Sequence, residues 1–154
     1  MTQAPELNDD FRDVLGELIE AGVDFVVVGA HALAAHGLPR ATGDIDILVR
    51  PSPDNAARVV AALTKFGAPL QAHGVGAKDF ERPGTVYQMG LPPRRIDVLT
   101  EISGVSFERA WDTRVPVEVD GIELPFLGRD ALVENKRATG RDKDLVDVKA
   151  LTKR

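Results

Sequence analysis

The sequence predicts an α/β fold of the α+β kind, a mixed central β-sheet flanked by helices. Three observations carry this. The first half alternates segments in the order helix, strand, helix, strand, helix. Consecutive strand signals follow, among them an Asp-Gly hairpin. The chain then closes on two helical segments. Its 154 residues, 44% of them hydrophobic, suffice for a single domain with a sizeable core.

Pro5 precedes NDDFRDVLGELIEAG, where Asn8 or Asp9 is expected to cap a helix with acids in its first turn. Phe11, Val14, Leu15, Leu18 and Ile19 recur at helical spacing, and Gly22 ends the segment. DFVVVG reads as a short strand buried on both faces. AHALAAHG follows directly as an Ala-rich helix, stopped at Gly37 and Pro39. After LPRATG comes the strand DIDILVR, broken by Pro51 and Pro53. Ser52 or Asp54 then caps a helix through AARVVAALTKFG.

Residues 67–84 hold four glycines and two prolines with no lasting period, and read as a loop of a length that usually serves function. TVYQMG and RRIDVLT look like paired strands around Gly-Leu-Pro-Pro, and VPVEVDGIELP like a hairpin. The closing helices are expected from about Arg129 to Thr139 and from about Lys143 to Leu151.

Composition narrows function. No apolar run reaches the roughly 20 residues that span a bilayer. The acidic start MTQAPELNDDF lacks the basic n-region of a signal peptide, so the cytoplasm is the expected compartment. The absence of cysteine excludes disulfides and thiolate metal ligands. A net charge of −5 argues against a broad DNA-binding surface. It leaves room for a small basic pocket, since Glu134 to Arg154 carries seven Lys/Arg against four Asp/Glu.

The chemistry concentrates in carboxylates. Side chains alternate along a strand, so Asp44 and Asp46 share one face while Ile45 and Ile47 supply burial on the other. Asp97, between Ile96 and Val98, repeats the arrangement and shares its face with Arg95. If these strands are neighbours, about 4.8 Å apart, three carboxylates converge. A divalent cation would relieve their repulsion, and oxygen donors without His or Cys suit Mg²⁺ or Mn²⁺. The other reading of the Asp-x-Asp pair is the solvent face of an edge strand. Upstream, Gly29-Ala30 between strand and helix presents backbone N–H groups suited to phosphate.

With these residues in place, the sequence resembles the nucleotidyltransferase superfamily of the DNA polymerase beta-like fold. The resemblance rests on Val28-Gly29-Ala30, Asp44-Ile45-Asp46 and Ile96-Asp97-Val98, over roughly residues 24–99. KRATGRDKDLVD is similar to the C-terminal segment of small prokaryotic members, including relatives of type IV toxin–antitoxin toxins. The resemblance implies one minimal domain over 1–154, with a catalytic core at about 24–99 and a C-terminal helical segment at about 128–154. It implies that Asp44 and Asp46 bind metal, and that Asp97 completes the set or acts as base. Lys136 and Arg141 would contact the triphosphate beside Gly29 and Ala30, with Asp144 orienting a basic group. The implied reaction moves a nucleoside monophosphate from an NTP such as ATP to a hydroxyl on RNA, protein or a small molecule, with a partner protein as a further expectation. Ala30 departs from the pattern, which has Gly or Ser there.

Two rival functions stay open: a nucleotide-binding or regulatory module of the same fold with little turnover, and a metal-dependent phosphohydrolase. Arg40 and Thr42 can hold phosphate, orient Asp44 or lie in solvent; Arg95 can support Asp97 or form a plain salt bridge. His31 and His36, five apart and so turned roughly 140° on a helix, cannot share a metal. His31 can reach a nucleotide or serve the core, while His73 and GVGAKD carry no site signal.

Overall fold

The computed structural model describes residues 7–153. Pro5, and the MTQAPE start on which the compartment expectation rests, lie outside them. Among the described residues a six-stranded mixed sheet is accompanied by seven helices.

Helix α1 (Asp9–Glu20) opens on Asn8, whose Oδ1 accepts from the Phe11 N–H at 2.9 Å. It buries Phe11, Val14, Leu15 and Leu18; Ile19, expected on the same face, is exposed. Strand β1 (Phe25–Val28) is buried at all four positions and leads into α2 (Gly29–Ala35). Strand β2 (Asp44–Val49) precedes α3 (Pro53–Phe66), which has Ser52 as cap and ends at Gly67 with φ +102°. Helices α1 and α3 pack together.

The segment 67–84 is more ordered than a loop. It contains a short helix, α4 (Ala77–Phe80), which packs on α3. Leu70 and Phe80 are buried, so two isolated apolar anchors rather than a periodic face hold this segment down. Strands β3 (Val86–Met89) and β4 (Arg95–Leu99) pair antiparallel.

A helix the sequence reading omitted, α5 (Phe107–Asp112), follows. Ser106 caps it through a hydrogen bond from the Arg109 N–H. Strands β5 (Val115–Val119) and β6 (Ile122–Phe126) form the expected hairpin, with Asp120 and Gly121 both at positive φ. Helices α6 (Arg129–Thr139) and α7 (Asp142–Thr152) close the chain and pack on each other.

The sheet order is β3-β4-β2-β1-β6-β5. The β1/β2 pair is antiparallel, while β2/β4 and β1/β6 are parallel. Strands β2 and β4 therefore start side by side where β1 ends. That shared edge, in the interior of the sheet order, carries the aspartates. No described helix is long and apolar enough to cross a membrane.

Candidate active site

The register of β2 against β4 builds the site. Asp44 is opposite Arg95 and Asp46 opposite Asp97, while Ile45 faces Ile96 and Ile47 faces Val98. Period-two alternation sends the four isoleucine and valine side chains to one face, where all are buried. The other face receives Asp44, Asp46, Arg95 and Asp97. On the opposite flank of β2, Asp46 is in register with Val28, the residue before Gly29.

Asp44, Asp46 and Asp97 each offer a carboxylate oxygen within 4.8 Å of the others. Asp97 is buried, and Asp44 and Asp46 are half-buried. Hard oxygen donors in this arrangement could hold a metal ion. The Asp46 carboxyl is pushed up to about 7 by burial first, then by the Asp44 charge and by Asp97 beside it, with Arg95 opposing.

Arg95 stands among these carboxylates. One terminal nitrogen donates to Asp44 Oδ2 at 2.5 Å and to Asp97 Oδ2 at 3.1 Å, and Nε donates to Asp97 Oδ1 at 3.1 Å. The hydrogen bond with Asp97, followed by the Asp97 and Asp44 charges, holds its guanidinium above the usual arginine range. Thr42 Oγ1 lies 3.0 Å from the Asp44 carbonyl and 3.1 Å from Asp44 Oδ1, either of which can accept its one proton, and it accepts from the Asp44 N–H at 3.3 Å. Of the uses open to Thr42, the structure displays the orienting one.

Gly29 and Ala30 begin α2, as the strand–glycine–helix pattern requires, and no side chain caps this first turn. Gly29 has φ +71°, and a Cβ there would overlap Asp46 Oδ2. Backbone conformation and the neighbouring carboxylate both demand glycine.

The C-terminal residues form a second charged cluster. Asp144, fully buried, accepts from Arg141 Nε at 2.6 Å, Thr139 Oγ1 at 2.7 Å and Lys136 Nζ at 3.3 Å. Burial alone would raise its carboxyl, but the hydrogen bonds from Arg141, Thr139 and Lys136 hold it well below the usual carboxylate range. Asp147, also buried, pairs with Lys136 Nζ at 3.3 Å and with Arg40 at 2.7 Å. Lys136 and Arg141 are thus both engaged by carboxylates of α7. Lys136 donates one hydrogen bond, to Asp144 Oδ1, and is held by Asp147 as an ion pair. Asp147 ends the KRATGRDKDLVD segment, and its i, i+3 spacing from Asp144 is the signal that places both on one helix face.

Arg40 joins the two clusters: it binds Asp147 and lies two residues before Thr42. A cleft of about 330 Å³ opens there, with Phe11, His31, Arg40, Thr42 and Arg94 in its wall. His31 is buried, edge-on to Phe11 at 5.7 Å, and its Nδ1 finds no hydrogen-bond partner among the described residues. Burial lowers the His31 imidazole pKa, against the opposing charge of Asp44. His36 lies elsewhere, with Nε2 2.7 Å from the Leu127 carbonyl, and His73 Nδ1 is 2.8 Å from the Tyr87 hydroxyl.

No protein-family model matches this sequence, and no curated protein does. The fold is similar to that of a solved protein from Thermotoga maritima described as a "putative nucleotidyltransferase". The two chains share 16% identity with a TM-score of 0.56, over 92% of this chain and 88% of that one. At that identity the likeness is one of fold, and the mixed α/β nucleotidyltransferase fold is what it establishes here.

Proposed function

We propose that this protein is a metal-dependent nucleotidyltransferase that moves a nucleoside monophosphate from an NTP to a hydroxyl acceptor on RNA, protein or a small molecule. The observation that carries this reading is the convergence of Asp44, Asp46 and Asp97 on neighbouring strands against the Gly29 turn. The fold likeness supports it.

In this reading the three carboxylates hold Mg²⁺ or Mn²⁺, which when bound would neutralise charge on the transferring phosphoryl group. Asp44 and Asp46 serve as ligands, with Asp44 kept in orientation by Thr42. Asp97 completes the set or takes the proton of the acceptor hydroxyl. That hydroxyl oxygen bonds to the α-phosphorus as the bond to pyrophosphate breaks. The open first turn at Gly29 and Ala30 donates backbone N–H groups to phosphate, and Lys136 contributes its ammonium. Arg141 uses two of its five N–H donors on Asp144 and is largely exposed, so it keeps donors for phosphate. The KRATGRDKDLVD segment supports a finer reading, the transferase member of a toxin–antitoxin pair.

Ala30, in place of the Gly or Ser of the pattern, favours a second reading, a nucleotide-binding module with little turnover. One assay separates these. Each NTP, labelled at the α-phosphate, is incubated with protein, Mg²⁺ or Mn²⁺, and an extract of RNA and protein. Transfer by the wild type and none by Asp46→Ala supports the transferase. NTP binding without transfer supports the module, and release of inorganic phosphate alone supports a hydrolase.

A further inference from the structure

Arg95 engages two of the three carboxylates that could hold a metal. Its fork takes Asp44 Oδ2 and both oxygens of Asp97, at 2.5 to 3.1 Å. This follows from register: Arg95 is directly opposite Asp44 and two residues from Asp97 on the same strand face. A planar guanidinium suits two carboxylates in this way, where a lysine ammonium would act as a point charge.

We propose that Arg95 is a built-in counter-ion that competes with the divalent cation for Asp44 and Asp97. Loading the site is then an exchange, in which the guanidinium leaves Asp44 Oδ2 and turns towards the substrate phosphates. The inference rests on reading the three carboxylates as a metal site. With all three carboxylates ionised (−3), one guanidinium (+1) leaves a formal charge of −2, which keeps the face from carrying three uncompensated anions. A hard cation binding carboxylate oxygen at roughly 2.0–2.1 Å would stand beside the guanidinium as a second positive charge, and the two repel at that range. The Arg95 side chain is 32% exposed. Its head can therefore swing to solvent, or to a bound polyanion, without repacking of the core.

Asp46 takes no hydrogen bond from this guanidinium. The exchange therefore concerns Asp44 and Asp97, which become available to the cation as Arg95 withdraws. Arg95 is in this sense a positioning residue that sets the threshold for metal loading and is then released to the substrate side.

The test is Mn²⁺ binding by calorimetry to wild type, Arg95→Met and Arg95→Lys, alongside their metal-free melting temperatures. Arg95→Met should bind Mn²⁺ about tenfold more tightly, the scale of one charge-assisted hydrogen bond no longer given up, and should melt lower without metal. Arg95→Lys, which keeps the charge and loses the fork, should gain part of that affinity. Equal or weaker Mn²⁺ binding by Arg95→Met overturns the proposal while leaving the metal site standing. Wild-type affinity in Arg95→Lys also overturns it, because charge alone would then explain the effect. Absence of Mn²⁺ binding by the wild type, with or without NTP, removes the metal reading and this inference with it. A readout free of variant folding is the Arg95 Nε–H signal in the ¹⁵N spectrum of the wild type. Saturating Mg²⁺ should shift that signal and speed its exchange with solvent; an unmoved signal at saturation overturns the exchange.

Discussion

Gly29 is packed so tightly against Asp46 that a side chain at position 29 would overlap Asp46 Oδ2 and bring its Cβ to 3.0 Å from Asp46 Cγ. The turn and the carboxylate are thus one structural unit. The strand end that exposes backbone N–H groups also fixes where the Asp46 head can stand.

Gly29→Ala should therefore cost stability twice, through a left-handed φ of +71° and through collision with Asp46. The backbone share is about 1–2 kcal/mol. Urea unfolding of a double-mutant cycle separates the two. In the Asp46→Ala background the cost should fall to the backbone share, whereas an unchanged cost would mean that the two residues do not interact.

The Asp46 contribution to metal-free stability should decline as pH rises between 3.8 and about 7. Asp46 binds its proton more tightly folded than unfolded, so across that window the native state holds more protons and unfolding becomes easier with pH. The loss is complete above the folded value. Asp46→Asn removes this slope. Its stability advantage over the wild type in urea should be small near pH 4 and largest near pH 8, and parallel curves would contradict the account.

Asp144→Ala should destabilise the protein by about 2–3 kcal/mol, because it strips a buried acceptor from Lys136, Thr139 and Arg141. The linkage runs opposite to that of Asp46. The Asp144 carboxyl is held below its unfolded value, so its contribution is present at neutral pH and lost as pH falls through the acid range. Acid unfolding of Asp144→Ala should accordingly begin from lower stability and show a shallower fall. A Tm within about a degree of wild type would contradict the burial of this cluster.

Local signals made much of this legible. Alternation in DIDILV and RIDVL put the aspartates on one face without any knowledge of partners, and Asp120-Gly121 specified its hairpin. Legibility ended where a feature depended on pairing at a distance. The parallel contact of β1 with β6 rests on a single register pair, Val27 with Phe126, and leaves no local pattern. The fork of Arg95 onto Asp44 exists only because β2 and β4 align Asp44 with Arg95 rather than one residue along. Helix α5 is six residues long, too short for periodicity, although Ser106 before FERAWD was a usable cap signal. Asp144 is expected from the sequence to orient a basic group, but the sequence does not reveal that α7 also turns Asp147 inward onto Lys136.

The proposed chemistry depends on Asp44, Asp46 and Asp97 acting together on a divalent cation. The direct measurement is the melting temperature of wild type and Asp44→Asn with and without millimolar Mg²⁺ or Mn²⁺. Binding to the native state alone adds about 2.7 kcal/mol at a hundred times Kd, so the wild type should melt several degrees higher with metal. Asp44→Asn should lose that response while keeping its metal-free fold. A wild-type melting temperature indifferent to both ions, with or without NTP, would contradict the account.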